Sequence, residues 1–168
     1  MGTRKIVQLG DSALRKTARP QKTFDKRLWN LLDDLSETMY RAPGLGLSAT
    51  QVGVLRRVAV VDVGEGLTEL INPELVEARG EQCGREGCLS LEGRQGIVRR
   101  PEWVRVRAYD RKGKVFELEG EDLMARCLCH EMDHLDGRLF IDIMDSEVPE
   151  DEIEYMTEAE DEPTGGRR

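Results

Sequence analysis

The sequence predicts an α+β protein in which antiparallel or mixed β-sheets pack around a central helix with a His-Glu-x-x-His motif, followed by an acidic C-terminal extension. Two segments place apolar residues at the spacing of an amphipathic helix, and shorter segments between them alternate or are rich in β-branched residues. Neither pattern continues beyond residue 144. A chain of 168 residues suffices for one core, so we expect one folded domain at 1–144 and a flexible acidic tail at 145–168.

The first predicted helix spans residues 25–42, with Asp25 as its N-cap. Its apolar residues recur every three or four positions, with charged residues between them, which indicates one buried face. These residues are Leu28, Leu31, Leu32, Leu35 and Met39. Pro43 and Gly44 end the helix, and we expect a tight, glycine-rich loop after them.

Strands are predicted at residues 57–63, 70–77, 103–109 and 114–118, where β-branched or alternating apolar residues lie between glycine, proline and charged residues. The second helix is predicted at 122–135, with Gly137 as its stop signal. The apolar residues at 139–143 predict a final strand. We expect the sheet pairing to be antiparallel in part.

The negative charge of the chain is concentrated at its C-terminal end. The formal net charge is −8, and residues 145–168 alone contain ten acidic residues against two arginines. The remaining 23 acidic and 23 basic residues balance within 1–144. Such a run is typical of a solvated extension, and its charge argues against direct binding of the tail to nucleic acid.

Two further absences in the sequence bear on where the protein acts. No apolar run approaches the ~20 residues that a membrane-spanning helix requires. Residues 1–19 lack the apolar centre of a secretory signal. We therefore expect a cytoplasmic protein that does not act at a membrane, and whose four cysteines are free thiols.

His130 and His134, the two histidines of the chain, lie four residues apart in the second predicted helix. Positions i and i+4 share one helix face, with Cβ atoms about 5–6 Å apart, so both imidazoles can bind one metal ion. Glu131 then lies to one side, free to exchange a proton with water. This is the HExxH pattern, which indicates a metal-dependent hydrolase.

The third metal ligand is not fixed by spacing alone, because four cysteines and many carboxylates are candidates. Cys127 shares a face with the histidines, but three ligands on one straight helix cannot all reach one ion at ~2.0–2.3 Å. Cys129 points about 100° away from His130 and is expected to be a small buried residue. Among the cysteines, Cys83 and Cys88 remain.

Three motifs occur in a set order along the chain: Gly-Leu-Gly-Leu-Ser-Ala-Thr-Gln at 44–51, Glu-Gly-Cys-Leu-Ser at 86–90 and His-Glu-Met-Asp-His at 130–134. In this order and spacing they resemble the peptide deformylase family, with its GxGLAAxQ, EGCLS and HExxH motifs. The resemblance runs from about residue 5 to residue 144. It departs from the family pattern at Ser48, where alanine is expected, and at Cys129, where glutamine is frequent.

The resemblance implies an enzyme that removes the N-formyl group from the N-terminal methionine of newly synthesised proteins and releases formate. It selects Cys88 as the third ligand beside the two histidines and Glu131 as the general base. It also implies that the side chain of Gln51 and the backbone N–H of Leu89 stabilise the oxyanion.

The implied cofactor is one divalent metal ion. The resemblance favours Fe²⁺, while Zn²⁺, Ni²⁺ or Co²⁺ could bind the same thiolate and imidazole ligands. The expected partner is an N-formylmethionyl peptide or nascent chain, bound by a monomer.

A substrate pocket is expected beside the histidine helix, where the methionine side chain needs apolar walls. The proposed substrate-binding residues are Gly44, Leu45, Gly46, Glu86, Gly87, Leu123, Cys127 and Leu128. Leu45, Gly46, Leu123, Cys127 and Leu128 would form the walls of this pocket. For each of them, ordinary packing in the core is an equally good interpretation.

Two other functions fit part of the pattern. A zinc endopeptidase uses the same HExxH chemistry, but here it would need a carboxylate as third ligand and would leave Cys88 without a role. An inactive metal-binding relative that acts through its acidic tail is the second alternative. The intact set of candidate ligands, base and oxyanion donor argues against it.

Overall fold

Helix α1 extends over Lys26–Arg41 in the computed structural model, which describes residues 2–153. The Asp25 side chain caps it by accepting a hydrogen bond from the backbone N–H of Leu28 at 3.2 Å. The apolar positions identified in the sequence are all buried, and they pack against the strands Gly46–Ser48, Val58–Val61 and Thr68–Arg79. The first predicted helix and its buried face are therefore confirmed.

Helix α2 extends over Leu123–Leu135, with Asp122 as its N-cap residue. It contacts two β-sheets, one through the strands Gly46–Ser48, Val58–Val61 and Val115–Glu121, and the other through the strand Gln95–Arg100. Most of its residues are buried, including both histidines and Glu131. The helix therefore lies where the two sheets meet, and this position brings its side chains close to residues from distant parts of the chain.

The larger sheet has five strands in the order β1-β2-β3-β6-β7, and all its pairings are antiparallel. Its strands are β1 (Gly46–Ser48), β2 (Val58–Val61), β3 (Thr68–Arg79), β6 (Trp103–Tyr109) and β7 (Val115–Glu121). The four strands predicted between residues 57 and 118 correspond to β2, β3, β6 and β7. The α+β class with antiparallel sheets is confirmed.

The smaller sheet has three strands in the order β4-β5-β8, and it is not predicted by the sequence. Its strands are β4 (Gln82–Gly87), β5 (Gln95–Arg100) and β8 (Ser146–Glu147). β8 belongs to the segment predicted as a tail, and Asp145 and Glu147 form ion pairs with Arg99 and Arg94. Packing thus continues past residue 144, while residues 154–168 of the predicted tail lie outside the described residues.

The strand predicted at 139–143 is wrong. Phe140–Asp142 forms a 3₁₀ turn instead, with Phe140 buried and Ile143 44% exposed. The carboxylate of Asp142 accepts a hydrogen bond from the backbone N–H of Leu139 at 2.9 Å, which closes the turn locally. In the described part of the chain, no helix has both the length and the apolar character needed to cross a membrane.

Gly137 ends α2 in the left-handed region, at φ +76°, and its N–H donates to the carbonyl of His134 at 3.1 Å. A Cβ at this position would lie 2.7 Å from the backbone oxygen of Arg15. We expect Gly137→Ala to lower the free energy of unfolding by roughly 2–3 kcal/mol, because backbone strain and a backbone clash add. Urea unfolding followed by tryptophan fluorescence measures this loss.

Gly53→Ala is the matched control for this prediction. Gly53 also has a positive φ, +81°, but no atom lies within 4 Å of the added Cβ. The control should lose only about 1 kcal/mol, the conformational part. Equal losses in the two variants would contradict the proposed clash at Arg15.

Candidate metal centre

Cys88, His130 and His134 come together in the structure. Cys88 directly follows β4, and the two histidines lie one turn apart on α2. Their potential ligand atoms, Sγ and two ring nitrogens, all lie within 4.8 Å of one another. The Nε2 atom of His134 is 3.2 Å from both the Sγ of Cys88 and the Nε2 of His130.

This arrangement fits one small divalent ion. Two nitrogen ligands of a tetrahedral ion with bonds of ~2.0–2.1 Å are about 3.3 Å apart, close to the 3.2 Å observed between the two Nε2 atoms. A thiol and two imidazoles are also a donor set that first-row divalent ions accept. The residues therefore fit the metal that the sequence predicts.

The other three cysteines lie outside this cluster. Cys83 is exposed on β4, while Cys127 and Cys129 are buried in the core beside the larger sheet. Burial raises the pKa of Cys127 to about 12 and that of Cys129 to about 11, so both remain neutral thiols. Cys129 is thus a small buried residue, as the sequence predicts.

Glu86 orients the imidazole of His130. Its Oε1 atom lies 2.5 Å from the Nδ1 of His130. Because an ionised carboxylate only accepts, the Nδ1 of His130 carries a proton, which leaves Nε2, the ring nitrogen near Cys88 and His134, as the atom that could bind a metal. Glu86 thus sets the tautomer that a metal ligand requires.

Two arginines hold Glu86 in this position. Arg100 binds both of its oxygens, at 3.1 and 2.5 Å, and Arg126 donates to Oε2 at 2.7 Å. Burial alone would raise the pKa of Glu86, but hydrogen bonds from His130 and Arg100 hold it well below its usual value. Glu86 is therefore ionised, and its charge is neutralised within the core.

Replacing Glu86 with glutamine is expected to lower the free energy of unfolding by about 3–5 kcal/mol, because Arg100 and Arg126 would keep buried charges without their carboxylate. Thermal and urea unfolding of the metal-loaded protein measure the effect. Glu147→Gln removes an exposed partner of Arg94 and should leave the free energy of unfolding nearly unchanged, because water screens that pair. Similar losses from both substitutions would contradict a special role for the buried network.

Glu131 follows His130 on α2 and has an unpaired oxygen. The side chain is buried, and its Oε1 atom has no hydrogen-bond partner among residues 2–153. A Cβ on Gly46 would lie 2.6 Å from its Oε2, so a bare backbone at Gly46 leaves room for the carboxylate. Burial raises the pKa of Glu131 to about 7, and the charge of Glu86 acts in the same direction.

Gln51 lies in the 3₁₀ turn Ala49–Val52 and contacts Cys88 through its side-chain amide. Its Oε1 accepts a hydrogen bond from the backbone N–H of Ser48 at 3.0 Å. Its Nε2 donates to the Sγ of Cys88 at 3.5 Å and to the hydroxyl of Ser90 at 3.2 Å. One amide N–H of Gln51 therefore faces Cys88, and the other faces Ser90.

Leu89 follows Cys88 and is fixed from two sides. Its carbonyl accepts a hydrogen bond from the side chain of Gln8 at 3.0 Å. Its side chain packs on Gly44, where an added Cβ would lie 2.6 Å from the Leu89 Cδ1 atom. The two glycines of the first motif, Gly44 and Gly46, thus leave space for Leu89 and Glu131 respectively.

The expected apolar walls divide into buried and exposed residues. Cys127 and Leu128 are part of the core beside the larger sheet, and Leu45 packs against that core. Leu123, in contrast, is 46% exposed at the start of α2. Gly87 is the last residue of β4, directly before Cys88.

The sequence predicts Glu86 as a substrate-binding residue. It does not predict the charged network that surrounds Glu86 in the structure. Arg100, Arg126 and Asp133 belong to this network, with Arg100 donating to Asp133 at 2.6 Å. One signal is present in the sequence: Arg126 lies one turn before His130, on the face of α2 that is predicted to be buried. A charge at such a position indicates a buried partner.

The fold and this arrangement of thiol, imidazoles and buried carboxylate define a metal-dependent hydrolase of the HExxH class. A family model described as "Polypeptide deformylase" matches residues 3–150. The chain belongs to the peptide deformylase family.

Curated and solved relatives agree with this assignment. The chain is 52% identical to the peptide deformylase of Thermoanaerobacter pseudethanolicus over 158 residues, which are 94% of this chain and 99% of that protein. It is similar to the crystal structure of a peptide deformylase from Legionella pneumophila, with a TM-score of 0.82, 47% identity, and coverage of 84% and 86%. For the enzyme from Thermotoga maritima, the TM-score is 0.83, with 38% identity and coverage of 84% and 97%.

Proposed function

We propose that the chain hydrolyses the N-formyl group of N-formylmethionyl peptides, including nascent chains, and releases formate and a free amino terminus. One observation carries this proposal. The sulfur of Cys88 converges with the Nε2 atoms of His130 and His134, and Glu131, the next residue after His130, has a buried, unpaired oxygen. Family membership supports the same reaction.

Cys88, His130 and His134 would hold one divalent metal ion. When bound, such an ion supplies Lewis-acid chemistry, since it lowers the pKa of water and withdraws charge from a carbonyl oxygen. Among the metals that the ligands accept, we propose Fe²⁺, with Zn²⁺, Ni²⁺ or Co²⁺ able to replace it. Glu86 contributes by orienting His130, and its contacts with His130, Arg100 and Arg126 leave it little capacity to bind substrate.

Glu131 would accept the proton of the attacking water and deliver it to the departing amine. Its free oxygen and its burial favour this role, because a general base needs an available lone pair and a pKa close to the working pH. Gly46 leaves space for the carboxylate at this place.

Gln51 and Leu89 would stabilise the negative oxygen that forms when water attacks the formyl carbon. The amide nitrogen of Gln51 faces the cluster, and the backbone N–H of Leu89 adjoins Cys88 in the chain. Loss of one such donor typically raises the barrier by ~2.7–4 kcal/mol.

The methionine side chain would bind beside α2, against Leu45, Gly46, Cys127 and Leu128, with Gly44, Gly87 and Leu123 at the edge of the pocket. This set supplies the apolar surface that a thioether side chain prefers.

We also propose that the protein acts as a monomer in the cytoplasm. Light scattering of the purified metal-loaded protein tests the monomeric state.

The deciding experiment measures formate release from formyl-Met-Ala-Ser by protein loaded anaerobically with Fe²⁺. Acetyl-Met-Ala-Ser is the matched control, because it differs by one methyl group at the scissile amide. We expect rapid release of formate and little release of acetate. Cleavage of the Met-Ala bond detected by mass spectrometry, without formate, would instead support the endopeptidase alternative.

A further inference from the structure

Two buried hydroxyl groups lie behind Gln51 and connect it to the helix of the histidines. Ser48 is fully buried, and its hydroxyl lies 3.2 Å from the Oε1 of Gln51 and 3.0 Å from the hydroxyl of Thr50. Thr50 is also fully buried, and its hydroxyl lies 3.3 Å from the carbonyl of His134. These contacts form a continuous chain from the amide oxygen of Gln51 to the backbone of a candidate metal ligand.

The chain has three contacts but only two hydroxyl protons. Each hydroxyl donates once, and both the Gln51 oxygen and the His134 carbonyl only accept. With Thr50 donating to His134, the proton of Ser48 is shared between Gln51 and Thr50. With Thr50 donating to Ser48, the proton of Ser48 is free for Gln51. The hydroxyl of Ser48 can therefore strengthen its bond to Gln51 without leaving a buried proton unpaired.

We propose that Ser48, supported by Thr50, is a positioning residue that strengthens the oxyanion donor Gln51 during the reaction. This inference rests on the proposed role of Gln51. When the Gln51 N–H donates to an oxygen that gains negative charge, the amide becomes more polarised and its Oε1 becomes a stronger acceptor. The bond from Ser48 then strengthens at the same moment, because connected hydrogen bonds polarise one another.

This behaviour separates Ser48 from a residue that only packs. A bond that strengthens as charge develops lowers the barrier and affects kcat, while substrate binding and KM change little. The position also tolerates a smaller residue, because the family pattern has alanine here. The backbone N–H of Ser48 would still hold the Gln51 oxygen in Ser48→Ala, at the 3.0 Å now observed.

The test compares kcat and KM for formyl-Met-Ala-Ser in metal-loaded Ser48→Ala, Thr50→Val and Thr50→Ser. We expect Ser48→Ala to lower kcat about threefold to tenfold, the effect of one hydrogen bond, with KM nearly unchanged. Thr50→Val keeps the shape but removes the hydroxyl, and it should lower kcat less than Ser48→Ala does, because Thr50 reaches Gln51 only through Ser48. Thr50→Ser keeps the hydroxyl and should leave kcat close to that of the unsubstituted protein. Metal content and melting temperature are measured on each variant.

A double-mutant cycle with Gln51→Ala makes the result decisive. With Gln51 absent, Ser48→Ala should have no further effect on kcat. An equal loss in both backgrounds, or an unchanged kcat in Ser48→Ala, would overturn the inference while leaving the role of Gln51 intact. An unchanged kcat in Gln51→Ala alone would instead remove Gln51 from the proposed mechanism, and the inference with it.

Discussion

Replacing Glu131 with glutamine is expected to lower kcat for formate release by about a hundredfold to ten-thousandfold, the range associated with a general acid–base group. Glutamine has nearly the same shape, so it fits beside Gly46, but it cannot accept the proton of water. Glu86 cannot replace it, because Arg100, Arg126 and His130 already bind that carboxylate. Steady-state kinetics with formyl-Met-Ala-Ser measures the loss.

Metal content decides how the Glu131→Gln result is interpreted. Glu131 is not part of the three-residue ligand cluster, so elemental analysis should still find one metal ion per chain. Asp136→Asn, at the exposed end of the same helix, is the control and should retain full activity. Loss of the metal together with activity would contradict the assignment of Glu131 as a base that acts beside the ligands.

The sequence was most informative where local spacing determines which face of an element is buried. In α1, leucines at three- and four-residue spacing face the core whatever strands they meet, so the helix and its buried face are predictable. The same holds for His130 and His134, because one helical turn brings them together without any tertiary contact.

The sequence was least informative where distant segments meet. β4 has no apolar alternation, because one of its faces is exposed and it buries the charged Glu86, so its pattern resembles that of a loop. Neither the strand nor the approach of Cys88 to α2 follows from periodicity. Arg100 is buried because its charge is balanced by Glu86 and Asp133, which is a tertiary property.

Replacing Cys88 with alanine is expected to weaken metal binding by more than about a hundredfold. This loss is larger than the loss usually seen when a residue that only orients a metal ligand is replaced. Two neutral imidazoles on one helix would remain, without the thiolate that offsets the charge of the cation. Metal content after gel filtration measures the loss. Cobalt-loaded protein adds a second readout, because a thiolate bound to Co²⁺ gives a near-ultraviolet charge-transfer band that the variant should lack.

Cys83→Ala is the matched control, since Cys83 lies on β4 only five residues before Cys88 but is exposed and outside the cluster. It should keep the metal, the cobalt band and formate release. A Cys88→Ala protein that retains its metal and cleaves internal peptide bonds would favour the zinc endopeptidase, in which a carboxylate completes the site. If Cys88→Ala loses both the metal and the ability to release formate while Cys83→Ala keeps both, the sulfur of Cys88 is the third ligand on which the proposed chemistry depends.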